Sequence, residues 1–208
     1  MRRRSPSTVT RSWTVANSSS ALGRRLGRGF YDRPTVTVAR DLLGRTLHVR
    51  ASGTERRVRV VEVEAYVTGD PASHAYRGPT ARNRSMFRGS GTLYVFRIHQ
   101  VVCANLVTQP GEAVLLRAGA PLDGSAGNPS GPGRLCRYLG ITREDDGTDT
   151  TRSVRVYLTA GARATPAPRI LVGPRVGISR GVDRPLRFAF EGDPWVSRPR
   201  PGRPSTGS

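Results

Sequence analysis

The sequence predicts one α+β domain with a mixed sheet, on three observations. The chain has 208 residues, enough for one domain with a real core and too few for two large ones. Short segments rich in β-branched and aromatic residues alternate with loops rich in Gly, Pro and Ser. No Gly-rich phosphate motif follows a strand, which argues against a βαβ nucleotide-binding fold.

Each element has a local reason. Residues 1–26 contain no acid and are rich in Arg and Ser, so a disordered basic arm, or a translation start set too far upstream, is expected there. That stretch lacks the apolar run of a secretory signal, although its composition has some transit-peptide character. Order is expected to begin near Phe30-Tyr31-Asp32-Arg33-Pro34, and the domain to span 27–197. Residues 35–43 read as a short helix closed by Gly44. Strands are expected at 46–51, 57–66, 92–97, 101–107, 113–118, 154–158 and 186–190. Arg82 to Phe87 and Arg134 to Leu139 read as short helices, and 119–133 and 159–175 as loops. Residues 198–208, rich in Pro and Arg, read as a disordered tail, and no internal repeat is present.

The formal charge of +19 favours an acidic polymer as partner, above all nucleic acid. Every basic residue is Arg, whose planar fork pairs well with phosphate. With no Lys, the chain has no side-chain amine to form an imine with a sugar or carbonyl. No apolar run is long enough to cross a bilayer. Cys103 and Cys136 form neither a disulfide framework nor a metal motif, and fit a reducing cytosol as packing residues. With His48, His74 and His99 scattered, neither a catalytic metal nor another cofactor is expected.

The stretch Val61-Glu62-Val63-Glu64-Ala65-Tyr66, followed by His74, carries the densest chemistry. In a strand, Val61 and Val63 would face a core, and Glu62, Glu64 and Tyr66 the opposite side. A carboxylate beside an aromatic ring suits a site that activates water next to a stacked planar substrate. The competing reading is a half-exposed strand with two solvated glutamates.

Further blocks extend the pattern. They are Arg82-Asn83-Arg84-Ser85-Met86-Phe87, Gly91-Thr92-Leu93-Tyr94-Val95, Cys103-Ala104-Asn105 and Leu115-Leu116-Arg117-Ala118. Gly131 to Cys136, Pro174 to Ile178, Pro185 to Phe188 and Pro194-Trp195-Val196 follow in the same order. Over roughly residues 26–197 the chain resembles the alkyladenine (3-methyladenine) DNA glycosylase family in its bacterial form. The resemblance implies a single compact α+β domain around a curved, mostly antiparallel sheet with short helices. It implies a monomer that uses no metal and acts on duplex DNA containing damaged purines in the cytosol or nucleoid. It also implies that Glu64 activates water, that Arg117 and the backbone carbonyl of Val176 help hold that water, and that Tyr66, His74, Phe96 and Asn105 contact the flipped base. Arg82 and Arg84 are either phosphate contacts or solvated helix charges. Where the family inserts a Tyr from a Tyr-Gly turn into the duplex, residues 96–103 have neither, leaving Ile98 or His99 as the wedge. A non-catalytic damaged-DNA-binding protein on the same fold is the alternative, and an RNA-binding protein rests on charge alone.

Overall fold

A computed structural model describes residues 23–51, 53–98, 100–161 and 167–201. Helices α1 (Arg28–Tyr31) and α2 (Thr35–Leu42) precede strands β1 (Thr46–Ala51) and β2 (Thr54–Tyr66). Strands β3 (Leu93–Ile98), β4 (Val101–Gln109) and β5 (Glu112–Pro121) lead to helix α3 (Pro132–Leu139). Strands β6 (Val156–Thr159), β7 (Ile170–Gly173) and β8 (Arg187–Phe190) complete the fold.

The sheet runs β3-β4-β5-β2-β1-β6, with β8 also pairing to β2 and β7 to β8. Each of these pairings is antiparallel, so the sheet is a curled antiparallel one rather than mixed. The long strand β2 organises it. Its first half pairs with β1 and its second half with β8, while β5 follows it along the other edge. At the changeover the β2–β5 register shifts around Glu62, and the pairing passes over Val61 and Arg117. The irregularity switches the phase of β2. Val58 and Val60 enter the core before it, and Val61, Val63 and Ala65 after it. A regular strand would have turned one of those sets outward.

Both longer helices cover the apolar face. The buried residues of α2, Thr35, Val38, Ala39 and Leu42, recur with helical spacing, and the helix packs on β2, β4 and β5. Burying Leu42 fully contributes about 2 kcal/mol. Helix α3 starts with Pro132 and ends at Gly140, whose φ of 71° suits the left-handed cap. It packs Leu135, Cys136 and Leu139 onto β4 and β5.

Three expectations shift, and one element is new. Strand β7 lies inside the stretch read as a 159–175 loop, because Ile170–Gly173 forms a ladder with β8 that local composition does not reveal. The helix read at Arg82 to Phe87 is a 3-10 turn over Arg84–Phe87. A further 3-10 turn at Arg143–Asp145 is capped by Thr142. At the front of the chain, Leu26 is buried and its N–H bonds Leu158 O at 2.9 Å, so the folded body takes in the end of the 1–26 arm. The remainder of the arm, residues 1–22, lies outside the described residues, as does the tail from 202 on. No described helix is long and apolar enough to cross a membrane.

Candidate active site

One row of paired residues crosses the sheet on the face away from the helices. Tyr94 on β3 pairs with Asn105 on β4, Asn105 with Leu115 on β5, Leu115 with Glu64 on β2, and Glu64 with Arg187 on β8. Directly paired residues share a face, and so do residues two apart along a strand. Glu62, Tyr66, Phe96, Cys103 and Arg117 therefore join this row on one surface.

The reading of Glu62 and Glu64 as solvated side chains does not hold: both are 0% exposed. Glu64 Oε1 accepts the backbone N–H of Val176 at 2.8 Å and lies 3.1 Å from Arg117 Nη1. Its Oε2 accepts the Tyr66 hydroxyl at 2.9 Å. Val176 thus meets the carboxylate through its N–H. Burial and then the Glu64 charge push the Tyr66 phenol far above its ordinary pKa, so it stays a donor.

Arg117 is shared rather than dedicated to Glu64. Its Nε donates to Glu62 Oε1 at 2.9 Å, and its Nη2 to Ser197 Oγ at 3.3 Å. Desolvation opposes its charge, but Glu64 and then Glu62 outweigh it and raise its pKa further. Glu62 takes three more bonds: Arg187 Nε at 2.6 Å, Ser197 N–H at 2.7 Å and Ser197 Oγ at 2.9 Å. Arg187 Nη2 also donates to Ser197 O at 3.1 Å. Two buried carboxylates and two buried guanidiniums therefore balance, and the C-terminal segment locks onto them. The sequence by itself marks no role for Glu62, Arg187 or Ser197. The only hint was an Arg inside the apolar segment Leu186 to Phe190.

Behind the Tyr66 ring sits a second buried pair that carried no sequence-based role. Arg175 forks onto Asp70, with Nη2 donating to Oδ1 at 2.9 Å and Nη1 donating to Oδ2. Its guanidinium carbon lies 4.6 Å from the Tyr66 ring centroid.

The aromatic wall gathers His74, Tyr94 and Phe96. The His74 ring stands edge-on to Phe96, centroids 4.3 Å apart, and its Nδ1 lies 3.0 Å from the Tyr94 hydroxyl. Partial desolvation lowers the pKa of His74, so its ring is neutral near pH 7. Asn105 is buried and donates Nδ2 to Tyr94 O at 3.1 Å. Two open clefts meet at His74. One, of about 530 Å³, is bounded by Arg82, Tyr94, Phe96, Ile98 and Arg143. The other, of about 500 Å³, is bounded by Ser73, Tyr76, Arg77, Gly177 and Arg180. Glu64 lines neither, because Tyr66, Val176 and Arg117 enclose it.

Arg82 and Arg84 are exposed, and Ile98 is 48% exposed at the end of β3. His99 lies outside the described residues. Burial raises the Cys103 and Cys136 thiols to about 11 and about 12, in keeping with packing residues.

Comparison with known proteins identifies the family. Residues 29–194 match the family profile described as methylpurine-DNA glycosylase (MPG). A relative from Anaeromyxobacter dehalogenans strain 2CP-1 is 44% identical over 86% of this chain and 88% of its own length. One from Methanoculleus marisnigri is 44% identical over 83% of this chain and 98% of its own. One from Rhizobium etli is 41% identical over 83% and 88%. All three carry the name 3-methyladenine DNA glycosylase.

Proposed function

The chain belongs to the methylpurine-DNA glycosylase family, and on that premise we propose that Glu64 drives hydrolysis of the N-glycosidic bond of a purine flipped out of duplex DNA. The lesion range we assign covers 3-methyladenine, 7-methylguanine, hypoxanthine and ethenoadenine. The observation that carries the reading is the buried Glu64 carboxylate, held by Arg117, Val176 N–H and the Tyr66 hydroxyl.

A base inside a duplex cannot reach this carboxylate, so the nucleotide is everted at a cost of a few kcal/mol, least for damaged or mispaired bases. Arg82 and Arg84 hold phosphates, and Ile98 props the vacated step, with His99 its alternative. Tyr66 and Phe96 face the base, His74 contacts its edge, and Asn105 crowds the purine 2-position to disfavour guanine. A cationic alkylated purine gains about 1 kcal/mol or more from the ring faces, and it is also a good leaving group. As the glycosidic bond lengthens, positive charge grows on the sugar, and Glu64 opposes that charge. Three of the roughly four acceptor positions of a carboxylate are taken by protein donors. The fourth takes the proton of the attacking water, which Arg117 and the Val176 carbonyl help orient. The products are free base and an abasic site. Without a Lys the enzyme stops there and does not cut the strand through an imine. It acts as a monomer in the cytosol or nucleoid.

The test is base release from duplexes carrying each lesion, with hot alkali revealing abasic sites. Glu64→Gln is expected to lower release by a factor of about 100 or more while lesion-duplex binding persists. Release that survives the change removes Glu64 from the chemistry. Binding by the wild type without any release would establish instead a non-catalytic damaged-DNA-binding protein.

A further inference from the structure

We propose that the buried Asp70–Arg175 ion pair sets the preference between cationic and neutral damaged purines, by controlling how much positive charge sits behind the Tyr66 ring. The inference rests on the reading of Tyr66 as a base platform.

An aromatic ring has two faces. One face of Tyr66 is taken by a protein cation, the Arg175 guanidinium at 4.6 Å from the ring centroid. Only the other face is left for a base. A cation on the first face draws on the same π density that a cationic base would use on the second. It also repels that base through a slab of low dielectric. The Arg175 and Asp70 side chains are both 0% exposed, so solvent does not screen the effect. Asp70 offsets it. The carboxylate takes both terminal nitrogens of the guanidinium, and burial, which would raise its pKa, is outweighed by Arg175 and the Ala72 N–H, so it stays ionised. The ring therefore presents to the base the residual charge of a neutralised pair.

The pair is also built into the site. Arg175 Nη1 donates to Ala65 O at 3.1 Å, between the residues that carry Glu64 and Tyr66, and its next residue supplies the Val176 N–H to Glu64. Its Nε has no hydrogen-bond acceptor among the described residues, so the ring is its electron-rich neighbour. The pair spans the turn that holds Asp70 and the loop that holds Arg175, and Arg175 Nη2 reaches Gly181 O at 3.4 Å.

The two halves of the pair predict opposite outcomes, which a merely structural role does not. Single-turnover release is measured from duplexes carrying 7-methylguanine, a cationic base, and ethenoadenine, a neutral one. The readout is the ratio of the two rates in one protein sample, which is independent of the fraction of molecules folded. Arg175→Gln removes the cation and keeps an amide donor. The ratio is expected to move toward 7-methylguanine by roughly threefold or more. Asp70→Asn removes the offset and leaves the cation. The ratio is expected to move toward ethenoadenine by a similar factor. Asp70→Asn combined with Arg175→Gln is expected to return it near wild type. Ratios that stay put, or that move the same way in both single variants, overturn the inference while leaving the active site as described. Wild-type rates in Tyr66→Leu would instead refute the platform itself, and the inference with it.

Discussion

Glu62 and Glu64 stand two residues apart, equally buried, yet their amide variants are expected to behave differently. Glu62 Oε2 accepts the backbone N–H of Ser197 at 2.7 Å, a donor that cannot rotate. Its Oε1 accepts Arg117 Nε, Arg187 Nε and Ser197 Oγ. In Glu62→Gln, one amide end must face a fixed N–H donor whichever way the side chain turns. An unpaired buried donor costs about 1–3 kcal/mol. Arg117 and Arg187 also lose a buried counter-charge, and breaking a buried pair costs about 3–5 kcal/mol. These overlap, and a net loss of about 4 kcal/mol is expected, a large part of a stability of about 5–15 kcal/mol. For a domain of this size that is a fall in Tm of roughly 8–16 °C. In Glu64→Gln the amide oxygen keeps Val176 N–H and Arg117, the amide nitrogen donates to the Tyr66 hydroxyl, and Arg117 retains Glu62. A loss under about 2 kcal/mol is expected. Calorimetric unfolding of both variants at pH 7 measures the difference. A Glu62→Gln Tm within about 3 °C of wild type, or equal losses in the two variants, refutes this account of the buried charge cluster.

Acid titration of stability reports on Asp70. Its pKa is depressed in the folded protein, so its contribution is complete above the unfolded value of about 3.9 and is lost as pH falls through the lower folded value. Asp70→Asn should therefore flatten the decline in Tm below about pH 4, and an unchanged slope would locate the linkage elsewhere. Gly91 has φ of 86°, and an added Cβ would lie 2.7 Å from Thr151 and 3.0 Å from Tyr31. Gly91→Ala is expected to cost about 1–3 kcal/mol, checked by urea unfolding. Ile98→Ala at an exposed position is expected to change stability by under about 0.5 kcal/mol while weakening affinity for a lesion duplex. Unaltered affinity excludes Ile98 as the wedge.

Much of this protein follows from local sequence. Helical spacing of Thr35, Val38, Ala39 and Leu42 before Gly44 specifies α2, and β-branched runs specify most strands to within a few residues. Glu64, Tyr66 and Arg117 stand out because ionisable and aromatic side chains interrupt apolar strands, and His74 because it follows them in the turn segment after β2. Long-range pairing decides the rest. Strand β7 exists through its ladder with β8, and the exchange of β1 for β8 along β2 displaces the register at Glu62. That displacement keeps successive valines in the core and buries both glutamates on the other face. Glu62 meets Arg187 and Ser197, and Asp70 meets Arg175, across separations of 105 to 135 residues. Periodicity shows which side of a strand a residue occupies. Which counter-charge arrives there depends on chain closure over long loops, so only the folded molecule shows that the site's charges are balanced in pairs.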